Sequence, residues 1–169
     1  MTDATRAAIR VGIGYDSHAF VDGGPLVLGG VRIPADVRLR GHSDGDAVAH
    51  AVTDAILGAA GQGDIGTLFP DTDPANAGRD SMEMLGVAAR RVGAAGWRVQ
   101  QVDVTVVAER PRIAPYRDAM SGALARALGI APADVSVKGK TNEGMGWIGR
   151  GEGLAALAVA TLLAGEGSA

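Results

Sequence analysis

Hydrophobic and polar residues alternate over several short segments of the chain, which predicts β-strands. Alternation over residues 9–15 predicts a first strand, and apolar residues on either side of a Gly-Gly pair predict a β-hairpin over 26–33. Two further β-rich segments, 99–108 and 135–140, predict two more strands. Residues 154–163 are apolar throughout, which indicates a buried strand, although the alanines leave a helix open.

A helical pattern of apolar residues follows the hairpin. Ser43 is expected to be the N-cap, with Asp46 completing a pair similar to a capping box, and the helix is expected to run to about Ala60. The buried side of this helix is predicted to consist of Val48, Val52, Ala55, Ile56 and Ala59.

Two more helices follow a long polar segment. Residues 62–78 are rich in glycine and aspartate, which predicts a long loop of the kind that often carries function. Asp80 is expected to cap the second helix and Gly96 to end it. Pro115 suits the first turn of a third helix that ends near Gly129.

The order of these elements predicts an α/β (α+β) fold: one domain with a mixed sheet and helices packed on one face. The domain is expected to span residues 1–169, with a core of about 8–164 and loose tails at 1–7 and 165–169. Because helices would cover only one face of the sheet, the other face must be buried in another way, and oligomerisation is the expected one.

Composition narrows the possible functions. Hydrophobic residues make up 47% and charged residues 21%, and the net charge is −3, so no basic footprint indicates nucleic acid or a membrane surface. The absence of cysteine excludes thiolate ligands, so any metal must be held by imidazole and carboxylate groups. We find no targeting segment and no apolar run that could span a bilayer, so the predicted location is the cytoplasm.

The candidate chemistry lies between residues 14 and 50, where all 3 histidines of the chain occur. Asp16 and His18 are two positions apart near a strand end, so both side chains should project to the same side. His50 on the following helix can supply a third ligand, and two histidines with one carboxylate are typical of catalytic zinc. The alternative is a hydrogen-bonded surface pair and a helix-capping histidine without a metal.

Neighbouring polar residues extend this hypothesis. Asp46 or Asp54, one turn from His50 on the same helix face, could orient its imidazole. His42 and Ser43 lie where helix amides can bind a phosphate, although Ser43 could be a cap alone. Asp46, together with Asp44, is also interpreted as a helix-start residue.

Two further clusters leave alternatives open. Asp64, Asp71 and Asp73 could ligate a metal, hold sugar hydroxyls or form a solvated turn. The 2 lysines of the chain fall in the motif VKGKTNE, which suits a phosphate-plus-metal site but also an exposed strand end.

Taken together, five segments resemble the motifs of the 2-C-methyl-D-erythritol 2,4-cyclodiphosphate synthase family. They are GYDSHAF, GGVRIP, HSDGDAVAHAVTDAILGAAGQGDIGTLFPDTDP, VDVTVVAERPRIAPY and VKGKTNEGMGWIGRGEG, and they cover the chain in order from Arg10 to Leu163. The resemblance implies a homotrimer with active sites between subunits. It also implies cyclisation of 4-diphosphocytidyl-2-C-methyl-D-erythritol 2-phosphate, with release of CMP.

The resemblance further assigns roles. It implies one zinc ion per subunit on Asp16, His18 and His50, and a magnesium or manganese ion on Glu143. His42 and Thr141 are expected to stabilise the transition state. Contacts with the substrate are expected from Asp16, Ser17, His18, His42, Ser43, Asp64, Ile65, Gly66, Phe69, Pro70, Asp71, Thr72, Asp73, Ala108, Pro111, Arg112, Ile113, Ala114, Lys140, Thr141, Asn142, Glu143, Trp147 and Arg150.

Two other functions remain open at the level of sequence. A zinc-dependent phosphohydrolase would use the same ligands to activate water. A non-catalytic trimer could carry an isoprenoid diphosphate. The segments Lys138–Glu143 and Ala108–Ala114 argue against a carrier, because a carrier has no need of a nucleotide pocket.

Overall fold

The fold is known from a computed structural model that describes residues 9–165. The predicted tails at 1–7 and 165–169 lie outside the described residues except for Gly165, whose amide donates to the carbonyl oxygen of Gly96 at 2.8 Å. A five-stranded sheet has the order β4-β1-β7-β5-β6, antiparallel except for β5 with β6, and β2 pairs with β3 as a separate hairpin. The strands are β1 (Ile9–Asp22), β2 (Leu26–Leu28), β3 (Val31–Ile33), β4 (Val37–Leu39), β5 (Trp97–Val107), β6 (Val135–Lys140) and β7 (Gly153–Ala164).

The helices connect these strands and pack on one face of the sheet, as expected. They are α1 (Ala47–Ala60), α2 (Ile65–Leu68), α3 (Ser81–Ala94), α4 (Arg117–Leu128) and α5 (Gly146–Gly149), with short 3-10 turns at Pro74–Asn76, Ala114–Tyr116 and Pro132–Asp134. Within residues 9–165, no helix combines the length and the apolar character needed to cross a bilayer.

Most of the predicted elements are confirmed. The hairpin turns at Gly29 and Gly30, both with positive φ, and α4 ends at Gly129 in the left-handed conformation. Asp80 is the N-cap of α3, where its side chain accepts hydrogen bonds from the amides of Met82 and Glu83. Pro115 lies in the 3-10 turn directly before α4.

Three elements differ from the expectation. β1 is twice as long as predicted and continues to Asp22, because its second half pairs with β4 and with the start of β7. β4 itself was missed, since three residues carry too little alternation to detect. The segment 62–78 is a long connection, but it contains α2 and a 3-10 turn.

The expected N-cap of α1 was wrong. Asp46, and not Ser43, is the cap: its carboxylate accepts hydrogen bonds from the amides of Val48 and Ala49. The same carboxylate is fully buried and also accepts the amides of Gly29 and Gly30, at 2.8 and 2.7 Å. The cap therefore also fixes the hairpin to the start of α1, a long-range contact that local spacing does not reveal.

The two faces of the sheet have opposite environments. Ala156, Ala158 and Ala160 of β7 are fully buried beneath the helical layer. On the other face, the side chains of β1 that alternate with Gly12 and Gly14 are exposed, and Leu157 and Val159 of β7 pair with two of them. These β1 residues are Ile9, Val11, Ile13 and Tyr15, which are 55–69% exposed.

Candidate metal centre and substrate cavities

Two glycines of β1 allow α1 to approach the sheet closely. A Cβ atom on Gly14 would lie 1.8 Å from the carbonyl oxygen of Ala51, and one on Gly12 would lie 2.1 Å from that of Ala55. Only glycine can accept so close a backbone contact. The approach brings His50, on the first turns of α1, beside the middle of the same strand, where Asp16 and His18 lie.

Asp16, His18 and His50 converge at this point. Asp16 and His18 project from the helix-covered side of β1, which confirms the prediction that they share a face. The Oδ2 atom of Asp16 lies 2.7 Å from Nε2 of His18 and 3.0 Å from Nδ1 of His50, and these two nitrogens are 3.4 Å apart. The three side chains are 12–26% exposed, so the group is accessible from one side.

The remaining ring nitrogens are held by the protein. Nδ1 of His18 donates to the carbonyl oxygen of Arg40 at 2.6 Å, and Nε2 of His50 lies 2.9 Å from Oγ of Ser81 and 3.0 Å from Oγ of Ser43. Each imidazole therefore turns one nitrogen inward, toward Asp16.

The donor set fits a zinc ion. Donor atoms in a tetrahedral zinc site lie about 3.3 Å apart when the bonds are about 2.0–2.1 Å long. The observed separations of 2.7–3.4 Å are close to that value. Of the described residues, Asp16, His18 and His50 form the one group of three or more His, Cys, Asp or Glu side chains near enough to share an ion.

Charge coupling within the group changes the acidity of its members. Burial by itself would raise the pKa of Asp16, but hydrogen bonds with His18 and His50 outweigh burial, so the pKa lies below its ordinary value. The hydrogen bond with Asp16 raises the pKa of His18, against the opposing effect of burial. The metal-free group thus favours a carboxylate beside an imidazolium.

The two carboxylates expected to orient His50 form no hydrogen bond with its imidazole, whose partners are Asp16, His18, Ser43 and Ser81. Asp46 is occupied by four backbone amides, and burial raises its pKa. Asp54 accepts the amide of Ile65 at 2.8 Å, and burial also raises its pKa. Both residues lie on the same helix face as His50, but their carboxylates accept hydrogen bonds from backbone amides instead.

The amides of Val48 and Ala49 at the start of α1 are bonded to Asp46, so they are not free for a phosphate. Contact of His42 and Ser43 with a phosphate stays a prediction, and it would have to come from their side chains. Ser81, which does contact His50, was missed. It is the first residue of α3, 31 positions along the chain. In the sequence, its one distinguishing feature is its position directly after the helix cap Asp80.

A cavity of about 230 Å³ opens beside the candidate metal ligands. Asp64 caps α2 just outside it and accepts the amide of Thr67 at 2.7 Å. Hydrogen bonds with the side chain of Thr67 and with this amide lower the pKa of Asp64. Asp73 caps the following 3-10 turn, and Pro70 accepts a hydrogen bond from Asn76. The lining consists of His18, His42, Ser43, His50, Ile65, Gly66, Phe69, Asp71, Asn76 and Met84.

A second cavity, of about 390 Å³, lies at the ends of β5 and β6, and its lining shares no residue with the first. Its walls include Glu109, from the segment Ala108–Ala114 assigned to a nucleotide pocket, and Arg117, which sequence reasoning had not selected. The other lining residues are Ala108, Pro111, Arg112, Ile113, Ala114, Gly139, Lys140 and Thr141.

The segment that follows β6 is held in an unusual conformation. Glu143 has a φ of +52°, a value that side-chain-bearing residues rarely adopt. Its carboxylate accepts a hydrogen bond from Oγ1 of Thr141 at 3.1 Å. Glu109 accepts the amide of Asn142 at 2.9 Å and that of Gly144 at 3.3 Å. Backbone strain of this kind often accompanies a functional site.

The last predicted residues lie near the end of β1. A small cavity of about 240 Å³ is lined by Ser17, His18, Ala19, Trp147 and Glu152. Arg150 is close in sequence to Glu152 of this lining and forms an exposed ion pair with it at 2.6 Å. The predicted substrate residues are therefore spread around three cavities, two of which share His18.

Comparison with known proteins shows which family and which relatives this chain resembles. The chain matches the YgbB family over residues 9–163. A 2-C-methyl-D-erythritol 2,4-cyclodiphosphate synthase of Gemmatimonas aurantiaca is 62% identical over 156 residues, which are 92% of this chain and 94% of that protein.

Two solved structures have the same fold. The bifunctional IspDF of Campylobacter jejuni matches with a TM-score of 0.91 and 42% identity, over 94% of this chain and 43% of that longer one. This chain thus spans less than half of the bifunctional protein. A complex of Plasmodium falciparum IspF with CDP matches with a TM-score of 0.82 and 34% identity, over 96% of this chain and 100% of that one.

Proposed function

This chain belongs to the YgbB family, and we propose that it closes a cyclic diphosphate by metal-assisted intramolecular phosphoryl transfer in a site completed by a second subunit. Its activity is that of a 2-C-methyl-D-erythritol 2,4-cyclodiphosphate synthase, a phosphorus–oxygen lyase of non-mevalonate isoprenoid biosynthesis. The observation that carries the proposed mechanism is the group Asp16, His18 and His50, whose donor atoms converge at the edge of a cavity.

The reaction needs no nucleophile from the protein. In the proposed step, an oxygen of the substrate 2-phosphate bonds to the β-phosphorus of the diphosphocytidyl group, the bond from that phosphorus to the bridging oxygen breaks, and CMP leaves with the bridging oxygen. Phosphoryl transfer of this kind depends mainly on positioning and on stabilisation of charge.

The ion ligands and the cavity suit this task. Asp16, His18 and His50 would hold a zinc ion, and Glu143 would help to hold magnesium or manganese. Ions bound there would supply Lewis-acid stabilisation of the phosphoryl oxygens. His42 and Ser43 line the cavity next to the zinc ligands, so their side chains are proposed to contact the transferring phosphate.

The other end of the cavity is proposed to hold the erythritol phosphate. Ile65, Gly66, Phe69 and Asp71 belong to its lining. Closure of this space around the substrate would exclude water, and hydrolysis would otherwise compete with cyclisation.

The second cavity is proposed to bind the cytidine diphosphate portion of the substrate. The lining of the cavity includes residues of the segment Ala108–Ala114 as well as Lys140 and Thr141, which carry a cation and a hydroxyl that suit a nucleotide. The Plasmodium falciparum relative forms a complex with CDP, which supports a cytidine-linked substrate here. Thr141 is proposed to assist charge stabilisation at the β-phosphate.

A homotrimer would bring the two cavities together. They share no lining residue within one subunit, yet one substrate must occupy both. The face of β1 and β7 that the helices leave uncovered carries exposed Ile9, Val11, Ile13 and Tyr15. We propose that this apolar face is buried against copies of the chain, and that the same assembly sets one subunit's nucleotide cavity beside another's metal centre. The cytoplasmic location stays a prediction from composition.

The experiment is incubation of the purified protein with the diphosphocytidyl substrate, zinc and magnesium, with products identified by mass spectrometry. Cyclic diphosphate and CMP in equal amounts are expected. Linear diphosphate together with CMP would show a phosphohydrolase instead, because water would then be the nucleophile.

One variant tests the proposed role of His42, and a second variant is its control. His42→Ala is expected to lower the rate by roughly 10²–10³-fold, the loss typical of one stabilising group, with zinc content unchanged. Arg126→Ala, on an exposed position of α4 away from both cavities, is the matched control and is expected to retain full activity.

A further inference from the structure

Behind the metal ligand His50 lies a hydrogen-bonded pair, Asp44 and Ser81, that the reaction as described does not use. Ser81 is fully buried, and its Oγ atom lies 2.9 Å from Nε2 of His50. The same hydroxyl donates to Oδ1 of Asp44 in a short hydrogen bond. The amide of Ser81 also donates to Asp44, to Oδ2 at 3.2 Å.

Counting protons fixes the direction of each bond. An ionised carboxylate accepts hydrogen bonds only, so the single proton of the Ser81 hydroxyl points to Asp44. Oγ of Ser81 then offers only lone pairs to His50. The contact at 2.9 Å therefore requires a proton on Nε2 of His50, and a neutral imidazole with that proton presents a lone pair on Nδ1.

The lone pair on Nδ1 faces the metal position. Nδ1 of His50 lies 3.0 Å from Oδ2 of Asp16 and 3.4 Å from Nε2 of His18. We propose that Asp44 and Ser81 are positioning residues of the metal centre: Asp44 directs the Ser81 hydroxyl, and Ser81 holds the His50 proton on Nε2, so that Nδ1 is the nitrogen that binds the metal.

Ser43 alone does not fix this arrangement. Its Oγ lies 3.0 Å from Nε2 of His50 and 3.3 Å from Oγ of Ser81, and it accepts the amide of Gly45 at 3.4 Å. Its hydroxyl proton can therefore point either to Ser81 or into the cavity that it lines. Only Ser81 among the two serines is tied to a carboxylate, which is what makes its orientation definite.

The pair also links two elements that carry the site. Asp44 belongs to the segment before α1, where it accepts the amide of Asp46 at 3.2 Å, and Ser81 begins α3. A carboxylate that orients a ligand imidazole through an intervening group raises the affinity for the metal by holding the ring in place. The inference rests on the zinc assignment made under the proposed function.

The test uses the full chain loaded with zinc and labelled with ¹⁵N-histidine. Zinc affinity is measured by competition with a chromophoric chelator, and exchange of the ring N–H protons with water is followed by NMR. Ser81→Ala is expected to weaken zinc binding by about 10–100-fold and to expose the Nε2 proton of His50 to rapid exchange. The Nδ1 proton of His18, donated to Arg40, is an internal reference and should stay protected.

Two other variants keep the test decisive. Asp44→Asn removes the charge that directs the Ser81 hydroxyl. We expect weaker zinc binding and faster exchange of the Nε2 proton of His50 in this variant as well, so it provides the test if Ser81→Ala fails to fold. Thr53→Ala removes another fully buried hydroxyl, which bonds to the carbonyl oxygen of Ala49 on the same helix as His50. It should change neither the zinc affinity nor the exchange of the His50 proton.

The outcomes separate this inference from the proposed function. Absence of zinc binding by the unchanged protein would overturn both. Zinc binding by the unchanged protein, together with unaltered affinity and a protected His50 proton in Ser81→Ala or Asp44→Asn, would overturn only the positioning role. Equal losses in Thr53→Ala would also overturn it, since they would show that any buried hydroxyl near α1 has the same effect.

Discussion

Replacement of Gly14 by alanine should damage the metal centre without touching a ligand. The new Cβ atom would lie 1.8 Å from the carbonyl oxygen of Ala51 and 2.9 Å from the amide nitrogen of Ala55. Both are backbone atoms of α1, so no side-chain rotation can relieve the overlap. To restore an ordinary contact, the helix must move away from β1 by about 1.5 Å.

That movement carries His50 with it. If α1 shifts as a body, the separation of Nδ1 of His50 from Oδ2 of Asp16 grows from 3.0 Å to about 4.5 Å, whereas metal–ligand distances tolerate changes of only about 0.2 Å. We expect zinc affinity to fall at least about tenfold, equal to about 1.4 kcal/mol. Overpacking should cost a further ~1–3 kcal/mol of folding free energy, which lowers Tm by about 2–12 °C in a chain of this length.

Gly58→Ala is the matched control. Gly58 lies on the exposed side of the same helix, and a Cβ there would meet no atom within 4 Å. It should retain zinc affinity and gain about 0.5–1 kcal/mol of stability, because alanine loses less backbone entropy than glycine on folding. Zinc competition and thermal unfolding measure both variants. If Gly14→Ala kept the zinc affinity and Tm of the unchanged protein, close packing of α1 on β1 would not be what positions His50.

Three further predictions concern the site itself. His18→Ala and His50→Ala should each remove zinc, measured by metal analysis, while circular dichroism shows a folded chain; retained stoichiometric zinc would contradict the ligand assignment. Glu143→Gln should shift the magnesium or manganese activation curve and leave zinc content unchanged, and an unaltered curve would exclude that role. In metal-free protein, the Asp16–His18 pair should stabilise the fold fully between the ordinary pKa values of 3.8 and 6.5. Stability should decline as pH falls through the lowered pKa of Asp16 and as it rises through the raised pKa of His18; a pH–Tm curve that His18→Gln does not flatten would contradict the coupling.

Local patterns in the sequence determined most of the elements. The Gly29-Gly30 turn, the N-cap at Asp80 and the end of α4 at Gly129 follow from interactions within a few residues, and the structure has all three. The grouping of Asp16 with His18 also follows from a strand period of two. These features depend on backbone geometry that the residues themselves impose, so they can be derived without knowledge of the fold.

Partner choice between distant residues came from the tertiary structure alone. Ser43 and Asp46 both suit an N-cap, and Asp46 has that role because the amides of Gly29 and Gly30 reach it from the hairpin. Spacing favoured Asp54 as the partner of His50, whereas Ser81, 31 positions away, lies against it. Glycines 12 and 14 carry no functional group, yet they set the distance between helix and strand. The physical reason is that the type and local position of a side chain determine which groups it can bind. Which of these groups lies within reach depends on how packing of the helices and strands brings together residues that are distant in the sequence.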